Sequence, residues 1–158
     1  MSKRLPAEWE EQDGVLLAWP HEESDWAPVL NQVEPVFVQI ATAISRFEKV
    51  LIAVKDESHV RELLSRSGAD LSRIVLCKIP TNDTWTRDYG PITIYEDKVP
   101  LLLDFGFNGW GLKFASDLDN QVTRKLYHQK IFGKTYLKTL GMIMEGGSLE
   151  SDGKGTLL

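Results

Sequence analysis

One cysteine, Cys77, stands among 158 residues, so no disulfide forms within the chain and a reducing compartment suits it. The histidines are also few. His21, His59 and His128 lie far apart, and with no second thiol none has the spacing of a metal-ligand set. Neither metal nor cofactor is therefore expected. The chain has no run or stripe of Lys and Arg, and its formal net charge is −5. It thus lacks the electrostatic footprint of a nucleic-acid binder. No stretch approaches the roughly 20 apolar residues of a membrane span. The opening Met1-Ser2-Lys3-Arg4-Leu5-Pro6 carries charge without the apolar run of a signal peptide. The expected location is the cytoplasm, with no membrane partner.

What is present is ordinary for a globular protein: 42% hydrophobic and 26% charged residues, in a length that fits one domain. The apolar run Gly14 to Trp19, stopped by Pro20, reads as a strand buried on both faces. Ser24 or Asp25 is placed to cap the next helix, Trp26 to Phe47. Its apolar stripe is Val29, Val33, Val36, Phe37, Ile40, Ala41, Ile44 and Phe47, with Pro28 in the first turn and Pro35 as a kink or restart. Val50 to Val54 is a second buried strand. Glu57 to Ser65 is a short helix with Val60, Leu63 and Leu64 inward, closed by Gly68, and Ile74 to Ile79 is a third strand ended by Pro80. Strand, helix, strand, helix, strand is the order of an α/β layer.

The texture changes at Thr81. Ile92 to Tyr95 and Val99 to Leu103 flank a hairpin turn at Glu96-Asp97-Lys98, and Asp104 to Phe114 is a glycine-punctuated aromatic loop. A helix is expected over Asp117 to His128, capped by Ser116 or Asp117. Apolar segments at Thr135 to Leu140 and Met142 to Met144 follow. Leu149 and Thr156-Leu157-Leu158 suit a hairpin around Asp152-Gly153. An apolar strand directly after a turn leaves an unpaired edge, so the expectation is a chain that continues beyond Leu158.

Three segments carry chemistry. Trp85-Thr86-Arg87-Asp88 brackets a carboxylate with aromatics, and Gly90-Pro91 fixes the chain behind it. A carboxylate offers two acceptors to a planar fork of N–H donors, and an indole face attracts the charge. The plain alternative is a surface Arg–Asp pair of little consequence. In Met144-Glu145-Gly146-Gly147, two glycines behind a carboxylate permit close backbone approach; the alternative is a tight turn with a solvated Glu. Gly106-Phe107-Asn108-Gly109-Trp110-Gly111 lacks the Lys-Ser/Thr ending of a phosphate loop, which leaves the wall of a pocket or an ordinary hairpin loop. A nucleophile is missing. Cys77 sits inside an apolar strand, where a thiol is inert. His59 and His128 fall on helices facing solvent, and His21 follows a strand end, as a pocket residue or a loop histidine.

The runs PAEWEEQDGVLLAWPH, NDTWTRDYGPI, DFGFNGWGLKFASDLDNQVTRKL and MEGGSLESDGKGTLL resemble agmatine deiminases. Those group with the bacterial-type peptidylarginine deiminases in the guanidino-group-modifying superfamily. The resemblance runs from Leu5 to Leu158. It implies a pentein-type α/β propeller of five ββαβ units, of which this chain covers roughly the first two: about 1–80, then 81–158 with the start of the next. It also implies that Asp88 grips the substrate guanidinium, that Trp85 lines the channel for the alkyl chain, and that Glu145 positions a catalytic histidine.

In the family that histidine, a second aspartate and the cysteine nucleophile lie further along the chain. The implied chemistry is thiolate attack on the guanidinium carbon, loss of ammonia protonated by the histidine, and hydrolysis of the thiouronium to a ureido product. The implied substrate is agmatine, a small cation. The expected protein partner is another copy in a homo-oligomer, or a second chain that completes the propeller. Peptidylarginine as substrate, and a guanidinium-binding module without catalysis, are the alternatives.

Overall fold

A computed structural model of the chain describes residues 2–158. In chain order its main elements are β1 (Lys3–Arg4), β2 (Gly14–Ala18), α1 (Leu30–Ser45), β3 (Lys49–Val54), α2 (Glu57–Ser65), β4 (Ile74–Lys78) and the one-turn α3 (Thr86–Tyr89). Then come β5 (Ile92–Glu96), β6 (Val99–Gly106), the one-turn α4 (Gly109–Leu112), α5 (Val122–His128) and β7 (Tyr136–Ile143). The α/β class expected from the sequence holds. The chain forms two compact units, one of residues Gln12–Thr86 and the other of the N-terminal segment through Glu11 together with Arg87–Leu158.

The Gln12–Thr86 unit is a three-stranded parallel sheet in the order β2-β3-β4. Parallel neighbours need crossovers, and α1 and α2 supply them. Val50, Ile52 and Val54 alternate along β3 onto one face, where they form a core with Trp19, Ala41, Val60 and Leu64. Asp56 caps α2 by accepting from the N–H groups of Ser58 and His59, and the chain turns beyond it at Gly68 (φ +80°).

Four expectations change here. The helix expected from Trp26 starts as a 3₁₀ turn at Ala27–Val29 and becomes α-helical only at Leu30, with no side-chain cap. Ser24 instead builds the preceding turn: its hydroxyl donates to the His21 carbonyl at 2.7 Å. Next, α1 runs on through Pro35 without restarting. The apolar stripe is also split. Ala41 is buried and Phe37 and Ile44 pack on the core, but Val29, Val36, Ile40 and Phe47 are exposed, whereas Thr42 and Ser45 are buried. Ser45 satisfies its burial by donating to the Thr42 carbonyl (3.0 Å) and accepting from the Asp70 N–H (3.1 Å). Finally, β2 is half-buried through Leu17 rather than covered on both faces.

The second unit is a mixed four-stranded sheet, β1-β5-β6-β7. Asp97 and Lys98, both at positive φ, make the two-residue turn that joins antiparallel β5 and β6, while Glu96 pairs with Val99 inside the ladder. α5 carries the chain to β7, parallel to β6, so the order from Ile92 to Ile143 is β-β-α-β. β7 is one strand across the two apolar segments, with a register shift opposite Asp104 and Gly106. The helix expected from Asp117 is a 3₁₀ turn (Asp119–Gln121) leading into α5, again without a side-chain cap.

Asp104, placed in a loop by sequence, is a β6 residue with only 2% of its surface exposed. Its Oδ2 accepts from Arg124 of α5 (2.8 Å) and from the Thr139 hydroxyl of β7 (3.0 Å). A buried carboxylate needs such partners, and these tie strand, helix and strand together.

Candidate functional site

Asp88 sits in α3, where its neighbours hold the backbone still. Tyr89 is buried, packs its ring on Phe107 (centroids 5.8 Å apart), and its carbonyl accepts from the Thr123 hydroxyl at 3.3 Å. The Asp88 carboxylate receives two donors from distant residues: the Gly147 N–H reaches Oδ1 at 2.9 Å and the Trp110 indole N–H reaches Oδ2 at 3.1 Å. Each oxygen thereby spends one acceptor position and keeps another, so the pair still matches a forked N–H donor.

The two glycines of the Glu145-Gly146-Gly147 turn are required by this approach. A Cβ on Gly146 would lie 2.2 Å from the Arg87 carbonyl oxygen, and one on Gly147 would lie 2.4 Å from Asp88 Oδ1. Glu145 precedes them in extended conformation, and its carbonyl accepts from the Ser148 N–H (3.0 Å) and hydroxyl (2.7 Å). Its half-buried carboxylate makes no hydrogen bond or ion pair among the described residues.

Trp110 is the participant that sequence reading left unassigned. Its segment, α4, is a left-handed turn: Gly109, Trp110, Gly111 and Leu112 all have positive φ, with Trp110 at φ 57° and ψ 53°. Two non-glycine residues in that region cost on the order of 1–3 kcal/mol each. Asn108 offsets part of this by accepting from the Gly111 N–H at 3.0 Å, and the Trp110 ring packs edge-on against Phe107 (5.0 Å) and Phe114 (5.7 Å). The density of Gly and aromatics in Gly106 to Gly111 was the visible signal; the hydrogen bond to Asp88 was not.

Trp85 belongs to the Gln12–Thr86 unit. It is 48% exposed, stacks at a tilt on Trp26 (6.2 Å), and donates through Nε1 to Asp83 Oδ2 at 3.2 Å. Trp26 in turn donates to the Thr84 hydroxyl at 2.9 Å.

The surface-pair alternative for Arg87 and Asp88 does not hold. Arg87 pairs with Glu8 and donates to the Leu149 carbonyl at 3.1 Å, leaving Asp88 to its own partners. Among the histidines, His21 is buried, with Nε2 against the Thr81 carbonyl (3.1 Å) and Nδ1 accepting from the Glu23 N–H (3.2 Å). Both ring nitrogens serve the loop. His59 pairs with Glu34 Oε1 at 2.8 Å, an oxygen that also accepts from the Trp19 indole N–H. The open groove around these residues holds none of Trp85, Asp88 and Glu145, and its Lys55 and Arg61 are already paired with Glu22, Glu23 and Glu57.

Cys77 lies in β4 opposite Ala53, buried, and burial together with the Glu57 charge pushes its thiol up to about 11. A thiol so placed is a core residue. Cys77→Ala is expected to cost about 1 kcal/mol of stability from a small cavity, which a melting curve checks.

Residues 4–158 match the sequence family of Porphyromonas-type peptidyl-arginine deiminases. The chain belongs to that family. The agmatine deiminase of Pseudomonas aeruginosa (strain LESB58) is 33% identical over 161 residues, an alignment that takes in 98% of this chain and 42% of the relative. Among solved structures, the C. jejuni C315S agmatine deiminase with substrate bound superposes with a TM-score of 0.89 at 38% identity, covering 99% of this chain and 45% of that one. An Enterococcus faecalis agmatine deiminase matches with a TM-score of 0.80 at 30% identity, over 98% and 42%. The chain thus spans less than half the length of these deiminase relatives. Within the described residues of this family member, no helix is long and apolar enough to cross a membrane.

Proposed function

We propose that these residues form the guanidinium-binding part of a deiminase that hydrolyses agmatine to N-carbamoylputrescine and ammonia. The observation that carries this reading is the Asp88 carboxylate, oriented by Gly147 N–H and Trp110 Nε1–H with an acceptor position left on each oxygen. A guanidinium is planar and permanently charged, and it is best held by paired acceptors fixed in advance. The family resemblance is what gives Trp85, whose indole is exposed, the role of lining the alkyl-chain channel. Glu145 takes the role of orienting and charging a histidine supplied from elsewhere in the protein, and a cysteine from there acts as nucleophile.

The same reading makes the complete fold a five-unit α/β propeller. This chain is its N-terminal part, with the β-β-α-β order of Ile92 to Ile143 as one such unit. Family membership supports the general chemistry, hydrolysis of a guanidino group.

The test is to supply the full-length gene product with agmatine and, separately, with an arginine-containing peptide, and to measure ammonia and ureido product. Turnover of agmatine is expected; turnover of the peptide alone moves the protein to the peptidylarginine reading, and turnover of neither defeats the enzyme reading. In the same assay, Glu145→Gln should lower kcat more than it raises KM and shift the pH–rate profile to lower pH. A carboxylate neighbour raises a histidine's pKa, so removing it lowers the pH at which the histidine gives up its proton. An unchanged profile with only KM altered would place Glu145 in direct contact with substrate.

A further inference from the structure

Asp88 and the Gly146-Gly147 turn share one more attachment. Arg87, immediately before Asp88, sends its guanidinium to two acceptors from opposite ends of the unit: the Glu8 carboxylate in the N-terminal segment and the Leu149 carbonyl just past the turn. Its stem and the Asp88 carboxylate flank the same residue, since a Cβ on Gly147 would lie 3.9 Å from Arg87 Cγ and 2.4 Å from Asp88 Oδ1. The Arg87 carbonyl abuts Gly146. The N-terminal segment is itself anchored beside this turn. Arg4 pairs with Glu10 and donates to the Gly153 carbonyl (3.3 Å), and Ser151 donates to the Leu5 carbonyl (3.0 Å).

We propose that Glu8 and Arg87 form a positioning brace that sets the orientation of the Asp88 carboxylate relative to the Glu145–Gly147 turn, and so aligns a guanidinium ligand. The inference rests on the reading of Asp88 as a guanidinium carboxylate.

Both members of the Glu8–Arg87 pair are about half exposed, with side-chain exposures of 52% and 53%. Ion pairs in such settings contribute little to stability, so this one is poorly explained as a device for holding the fold. Its geometry has a clearer consequence. One guanidinium nitrogen, Nη2, meets both acceptors, and the rigid planar head to which it belongs ties the Arg87 backbone, the N-terminal segment and the strand past the turn together. It also keeps a guanidinium that is chemically the twin of the proposed ligand engaged elsewhere, leaving the Asp88 acceptors open.

The experiment uses the full-length gene product with agmatine and compares Arg87→Met, Arg87→Lys, Glu8→Gln and Asp88→Asn, each with steady-state kinetics and a melting curve. Misalignment weakens binding of the ligand rather than removing a reacting group. Arg87→Met should therefore raise KM roughly 10-fold with a smaller change in kcat and a nearly unmoved melting temperature. Arg87→Lys, which keeps the charge but loses the rigid planar head, should fall between Arg87→Met and the parent, as should Glu8→Gln. A KM within about twofold of the parent for Arg87→Met and Glu8→Gln, while Asp88→Asn is crippled, overturns the brace and leaves the substrate site standing. Lower kcat at unchanged KM, tracking a fallen melting temperature, also overturns it, because that is the signature of a merely structural pair. Near-normal Asp88→Asn kinetics removes the reading on which the brace depends. Should Arg87→Met fail to fold, Glu8→Gln at its exposed position carries the test alone.

Discussion

Asp88→Asn in the full-length gene product will lower kcat/KM for agmatine by roughly 100-fold or more, about 3 kcal/mol of lost transition-state stabilisation. The geometry gives two reasons. Both oxygens of Asp88 face donors, Gly147 N–H at one and Trp110 Nε1–H at the other, and both are read as facing a cationic fork as well. An amide offers one oxygen and one NH₂, so at least one of those donors meets another donor. Leaving the half-buried Trp110 indole N–H unmatched costs on the order of 1–3 kcal/mol, whereas the exposed Gly147 N–H can turn to water. The substrate also loses its counter-charge, and replacing a charge-assisted hydrogen bond by a neutral one removes about half its strength. The effect should appear in KM and kcat together, since orientation against the nucleophile is lost along with affinity. Steady-state kinetics beside a melting curve measures it, and near-normal constants in a folded Asp88→Asn enzyme would remove this carboxylate from the substrate site.

The second large effect concerns the 158 residues expressed by themselves, which will release no ammonia and form no ureido product from agmatine. Covalent attack needs a thiolate, and the only thiol here is Cys77, buried in β4 with its pKa raised to about 11 by burial and the Glu57 charge. At neutral pH about one in ten thousand of such thiols is ionised, and none of those meets solvent. General-acid chemistry fares no better. Both His21 nitrogens are committed to the Thr81 carbonyl and the Glu23 N–H, His59 is paired with Glu34, and His128 sits exposed at the end of α5, with no thiolate to serve. Ammonia release and a colorimetric ureido assay on the purified chain decide the matter. Sustained turnover that survives removal of host deiminases would defeat the assignment of the nucleophile to another segment. Binding without turnover would favour a guanidinium-binding module.

The α/β class could be read along the chain because short-range periodicity encodes it. Val50 to Val54, Glu57 to Ser65 and the Asp97-Lys98 turn each show their state within a handful of residues. Asp88, Trp85 and Glu145 were found as unusual local combinations of carboxylate, indole and glycine. Which face of α1 turns inward was not readable: apolar residues run most of the way round that helix, and contact with β3 and α2, not period, chose Ala41, Thr42 and Ser45 over Val36 and Ile40. Nor were the partners of Asp88. Trp110 is 22 residues away and Gly147 is 59 away, and Arg87 is 62 from Leu149. By itself the sequence determined which residues can carry charge, turn sharply or pack. Only the tertiary structure determined which of them meet, because hydrogen bonds form between atoms within about 3 Å in space and are indifferent to separation along the chain.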